Sequence, residues 1–149
     1  MAAGTLVSVP NQEEMEARVA QIDLRRILDR LCSSAEIGGK DWSPEDAHII
    51  ENEYREFLVL CGMYPHLSFV PTKMVDELWH AHILDTSAYA RDCTKTFGYF
   101  LHHYPDYDPE MRREQRSSGY EQTREMYRKH FGHDLTEFAG LCQSCYCDD

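Results

Sequence analysis

The chain has 149 residues, 42% of them hydrophobic and 11% aromatic, and carries a formal charge of −11. That length and composition describe one folded domain over residues 1–149 with room for a core. The acidic balance argues against nucleic acid, whose non-specific affinity needs basic patches. The absence of an apolar run near ~18 residues argues against a membrane span.

An acidic surface suits a basic protein partner, and nothing in the sequence sets an oligomeric state. Residues 1–10, MAAGTLVSVP, lack the basic start and long apolar centre of a secretory signal. They read as a flexible lead-in, and the expected compartment is the cytoplasm.

Asn11 is placed to cap a first helix running to about Cys32, with Glu13, Glu14 and Glu16 in its first turn where the helix dipole favours acids. Met15, Val19, Ile22, Leu24, Ile27, Leu28 and Leu31 would face its core. Gly38 and Gly39 break the pattern. Ser43-Pro44-Glu45-Asp46 then offers a cap, a proline at the first helical position and acids behind it.

The second predicted helix reaches Cys61 and stops at Gly62. It buries Ala47, Ile50, Tyr54, Phe57, Leu58 and Cys61, and leaves Glu51, Glu53, Arg55 and Glu56 in solvent. Met63 to Pro71 holds two prolines and is expected to be extended, laying Leu67, Phe69 and Val70 across the bundle.

The next stretch, Met74 to His103, holds four of the eight histidines, one of the two tryptophans and one of the six cysteines. It reads as one long helix as far as a stop at Gly98, followed by YFLHHYP in a turn or loop. At about 100° per residue, Val75, Trp79, His82, Thr86, Tyr89, Cys93 and Phe97 form one buried stripe. Asp76, His80, Asp85 and Asp92 lie off it.

His80 and His82 point roughly 200° apart and cannot share an ion on a regular helix. The natural companion of His80 is Asp76, one turn earlier, whose carboxylate can accept from one ring nitrogen and leave the other as ligand or base. His82, on the apolar stripe, is read first as a histidine satisfied by buried hydrogen bonds and second as a ligand. Of the adjacent pair His102 and His103, which diverge, His102 is taken to face inward.

A last main helix is predicted from about Pro109 to Phe131, burying Tyr120, Thr123, Tyr127 and Phe131, with Gly132 as its stop. A short helix from Asp134 to Leu141 would turn Leu135 and Phe138 inward. Cys32, Cys61 and Cys93 fit helical apolar patterns as reduced thiols. Cys142, Cys145 and Cys147 form a CxxCxC tail over 142–149. Three thiolates this close can wrap one soft ion, with a fourth ligand from elsewhere completing a tetrahedron, and a redox-active thiol pair or no role at all are the competing readings.

The string VDELWHAHILDTSAYARDCTKTFGYFLHH, preceded by YPHLSFVPTK, resembles the glycine-rich domain-containing protein-like family, known from long plant proteins and short stand-alone bacterial ones. The resemblance rests on Val75, Asp76, Trp79, His80, His82, Asp85, Thr86, Tyr89, Asp92, Cys93, Phe97, Gly98 and His102, with a weaker echo from Tyr120 to Gly132. It covers roughly residues 64 to 105. With 8 glycines and no glycine-rich tail, the chain looks like the short bacterial type. The resemblance implies a helical domain and attention to Trp79, His80, His82, Asp85, Tyr89 and His102, and it implies no reaction.

The sequence therefore predicts an all-α bundle of four main helices with a short C-terminal helix and a cysteine tail. Its expected role is a small metal-binding adaptor, zinc before iron, with ligands among His80, His102, Cys142, Cys145 and Cys147. The absence of a paired Glu-x-x-His motif counts against a di-iron centre. A metal-dependent enzyme using His80, Asp76 and His102 is the first alternative, and a structural or thiol-redox module is the second.

Overall fold

The computed structural model describes residues 8–104 and 109–136, with side chains in the last helix from residue 118 onward. The described residues are all-α, with six helices, one 3-10 turn and no strand. None of the described helices is long and apolar enough to cross a membrane.

The expected first helix is two helices, α1 (Gln12–Val19) and α2 (Arg25–Cys32). Asn11 caps α1 as predicted, its side chain accepting from Glu14 N at 2.9 Å. The chain then turns, and Asp23 Oδ1 accepts from Arg25 N at 3.0 Å at the new start. Breaking a helix frees carbonyls that need partners. Arg55 supplies them from the next helix, donating to Val19 O at 2.8 Å and to Ile22 O at 3.0 Å. The hydrophobic period shifts phase at the break: Met15, Val19 and Ile22 step by four and three, whereas Leu24 follows Ile22 by only two, about 200° on a regular helix, so the pattern carried a signal of it.

Helix α3 (Pro44–Met63) is the centre of the molecule and packs against α1, α2, and two later helices, α4 (Lys73–Leu84) and α6 (Pro109–Phe131). Ser43 Oγ accepts from Asp46 N at 3.1 Å, and Pro44 occupies the first turn. Every residue from Phe57 to Gly62 is buried, so this half of α3 is covered on all sides. Gly62 does not stop the helix. A Cβ there would stand 2.3 Å from Met15 Cε, so the glycine serves close approach of α1.

The expected single central helix also splits, into α4 and α5 (Thr86–Phe97). Thr72 caps α4 through a bond from Val75 N at 3.2 Å. At Asp85 the backbone leaves the helix (φ −82°, ψ 69°), and its carboxylate pairs with Arg26 of α2. The break re-aims the predicted stripe: Val75, Trp79, His82, Tyr89 and Cys93 are buried, whereas Thr86 is exposed. Gly98, in the left-handed region at φ +81°, closes α5 and turns the chain into residues 99–104, which return along α4.

The last helix falls where it was expected. Thr123 and Tyr127 are buried, and the Tyr127 hydroxyl donates to Glu53 O at 2.7 Å. The short helix predicted from Asp134 is not formed over 134–136, because Arg124 and Arg128 hold the Asp134 carboxylate and its Oδ1 takes the Leu135 N–H at 2.8 Å. Phe138 and the rest of that predicted element lie outside the described residues.

Glu53, expected in solvent, is 2% exposed because Leu135 and Thr136 cover that face of α3. Its Oε1 accepts from Thr136 N at 2.6 Å, its Oε2 has no partner among the described residues, and burial raises its pKa.

Candidate metal centre

Helical geometry sets Asp76 and His80 one turn apart on the same face of α4, and His80 Nε2 stands 3.3 Å from Asp76 Oδ2. The chain after α5 brings a third donor: His103 Nε2 lies 2.7 Å from Asp76 Oδ1 and 2.9 Å from His80 Nε2. The side chains of Asp76, His80 and His103 are 24%, 53% and 22% exposed, so one side of the cluster faces solvent.

Two imidazole nitrogens and a carboxylate suit zinc or another first-row transition ion. Bonds of about 2.0–2.1 Å in a tetrahedral site put neighbouring donor atoms roughly 3.3 Å apart. The two ring nitrogens stand 2.9 Å apart and reach different oxygens of Asp76, His103 at 2.7 Å to Oδ1 and His80 at 3.3 Å to Oδ2, close enough to that spacing for small side-chain rotations to admit an ion. A single shared proton serves three such contacts poorly, and a cation between them satisfies all three. The cluster could hold a metal ion.

The sequence expectation of an inward His102 is corrected here. His102 is exposed and lies against Phe100 and Tyr104, with ring centroids 4.8 and 6.0 Å away. Burial along the segment alternates, with Leu101 and His103 partly buried and His102 and Tyr104 exposed. An extended chain puts alternate residues on opposite sides. Leu101, the apolar member, was the available signal that His103 shares its side.

His82 is a core histidine. It is 1% exposed, its Nδ1 meets the Tyr54 hydroxyl at 2.7 Å, and its Nε2 meets Asp92 Oδ2 at 2.8 Å. A neutral ring protonated on Nε2 satisfies both contacts, donating to the carboxylate and accepting from the phenol. Burial pushes its pKa below the ordinary value, outweighing the pull of Asp92 in the other direction. Both ring nitrogens are engaged, so His82 is no ligand here.

Tyr89 and Trp79 stand behind the cluster. The Trp79 indole N–H donates to the Tyr89 hydroxyl at 3.0 Å, and that hydroxyl donates in turn to the carbonyl of Leu101 at 2.5 Å. The Trp79 ring packs on the His103 ring with centroids 4.3 Å apart. Cys93 is a buried free thiol whose pKa burial raises, and Asp85 is committed to Arg26. Neither reaches the cluster. Cys142, Cys145 and Cys147 lie outside the described residues.

Fold and site together define an all-α protein with a surface cluster of two histidines and one aspartate able to hold a metal ion. The chain belongs to the UCP032817-like family, whose model matches residues 17–130 and so spans α2 to α5 whole, with the end of α1 and nearly all of α6. This overturns the expected membership of the glycine-rich domain-containing family: the tryptophan and histidine pattern that suggested it occurs within the matched region of a different family. No curated protein matches the chain, and no solved structure does.

Proposed function

We propose that this protein is a small helical metal-binding module that holds one transition-metal ion, zinc before iron, through Asp76, His80 and His103. The observation that carries this reading is the convergence of one ligand-type atom each from Asp76, His80 and His103 within 4.8 Å of one another, two from one turn of α4 and one from the segment after α5. With three protein ligands and a solvent-facing side, the ion keeps a position open for water or an outside donor, as exchangeable and catalytic zinc sites do. Binding also ties residues 98–104 to α4, so metal and local surface shape are linked. That linkage favours a binding or adaptor role, and no reaction is assigned.

The test is elemental analysis and zinc titration of protein purified without a metal-affinity tag. About one equivalent is expected in the wild type, in His102→Ala and in a chain truncated after Leu141, with loss of binding in Asp76→Ala and His103→Ala. Wild type that takes up no metal, or a His103→Ala variant that keeps it, overturns the assignment. Metal lost on truncation instead moves the site to the cysteine tail.

A further inference from the structure

His103 reaches Asp76 because residues 98–104 are held against α4, and one oxygen atom takes part in that hold twice over. The Tyr89 hydroxyl accepts from Trp79 Nε1 at 3.0 Å and donates to Leu101 O at 2.5 Å. Leu101 stands two residues before His103, on the same side of the extended segment, so fixing its carbonyl fixes the path of the chain into the ligand. Trp79, oriented by the same hydroxyl, offers its face to the His103 ring at 4.3 Å. One group thus sets both the backbone that delivers the ligand and the surface its ring rests on.

The hydroxyl itself is held without freedom to adjust. Tyr89 is 1% exposed, and its ring meets His82 and Phe100 edge-on at centroid distances of 4.9 and 5.2 Å. Side chains that orient a metal ligand govern affinity without touching the ion, and their loss commonly costs about 10–100-fold. We propose that Tyr89 is the positioning residue of the Asp76, His80 and His103 site, setting its metal affinity through Leu101 and Trp79. This rests on the metal-binding reading above.

A suitable comparison lies in the same molecule. Tyr127 is 1% exposed and donates to a backbone carbonyl, Glu53 O, at 2.7 Å, but on α6 and with no link to residues 98–104. The experiment measures zinc affinity by competition with a chromophoric chelator, and the visible spectrum of the cobalt-substituted protein, in wild type, Tyr89→Phe and Tyr127→Phe. Circular dichroism of the metal-free proteins serves as the control on folding.

Tyr89→Phe is expected to bind zinc about 10–100-fold more weakly and to shift the cobalt bands, while Tyr127→Phe stays within twofold of wild type whatever its loss of thermal stability. Should Tyr89→Phe fail to fold, Trp79→Phe, which keeps an aromatic face but loses the donor, carries the test and is expected to weaken binding in the same direction. Wild-type affinity and spectrum in the folded Tyr89 variant, or an equal loss in Tyr127→Phe, overturns the proposal while leaving the metal site standing. Failure of the wild type to bind refutes the site itself.

Discussion

Removing the Tyr54 hydroxyl is the sharpest test of how the core is read. Tyr54 is fully buried in α3, and its hydroxyl meets His82 Nδ1, 28 residues along the chain, at 2.7 Å. Tyr54→Phe keeps the ring, so the packing against its neighbours survives and the change is confined to one hydrogen bond. The lone pair on His82 Nδ1 is then buried without a donor, because Asp92 holds the other nitrogen. Leaving a buried acceptor unsatisfied costs about 1–3 kcal/mol. In a domain near this size each kcal/mol shifts the midpoint by about 2–4 °C, so thermal unfolding followed by circular dichroism at pH 8 should show a fall of about 2–12 °C. A midpoint within about 1 °C of wild type would show that water or a rearranged ring replaces the hydroxyl, and the account of His82 as a doubly bonded core histidine would be wrong.

Two further outcomes follow from the same packing. Because burial lowers the His82 pKa below its ordinary 6.5, the unfolded chain takes up a proton first as the solution is acidified, so the stability this group contributes is whole above pH 6.5 and is lost as pH falls towards its folded value. Urea titrations should therefore give a wild type whose stability falls below pH 6.5 more steeply than that of His82→Gln, by at most about 1.4 kcal/mol per pH unit, and parallel slopes would refute the assignment. Gly62→Ala places a methyl 2.3 Å from Met15 Cε, and since that atom ends a flexible side chain the overpacking should cost about 1–3 kcal/mol in denaturant titration. No loss of stability there would mean that the approach of α1 to α3 is looser than described.

The opposite signs of two histidines, one buried and one exposed, show why pH dependence has to be measured by difference. His133 is raised above its ordinary value by its bond to Asp134 O and, against some desolvation, by Glu56, whose carboxylate it meets at 2.7 Å. Its contribution is present below pH 6.5 and lost as pH rises through the folded pKa, the reverse of His82. A bulk stability profile sums the two, and only paired variants separate them.

The sequence by itself determined the helical class, because apolar residues recur at helical spacing throughout, and it located the starts at Asn11 and Ser43 and the last helix from Pro109 to Phe131 through cap, proline and glycine chemistry that acts within a few residues. It also identified Asp76 and His80 as partners, since one helical turn fixes their separation. What tertiary structure decided is whatever depends on groups distant along the chain. The break at Asp85 carries no periodic signature, and both it and the break at Ala20–Leu24 are supported from other helices, by Arg26 and Arg55 respectively. Glu53 is polar in any sequence pattern, and only the cover of Leu135 and Thr136 makes it a buried acid. The choice of His103 over His102 was set by the parity of an extended segment anchored at Leu101 by Tyr89, a bond formed only once α4, α5 and that segment are assembled.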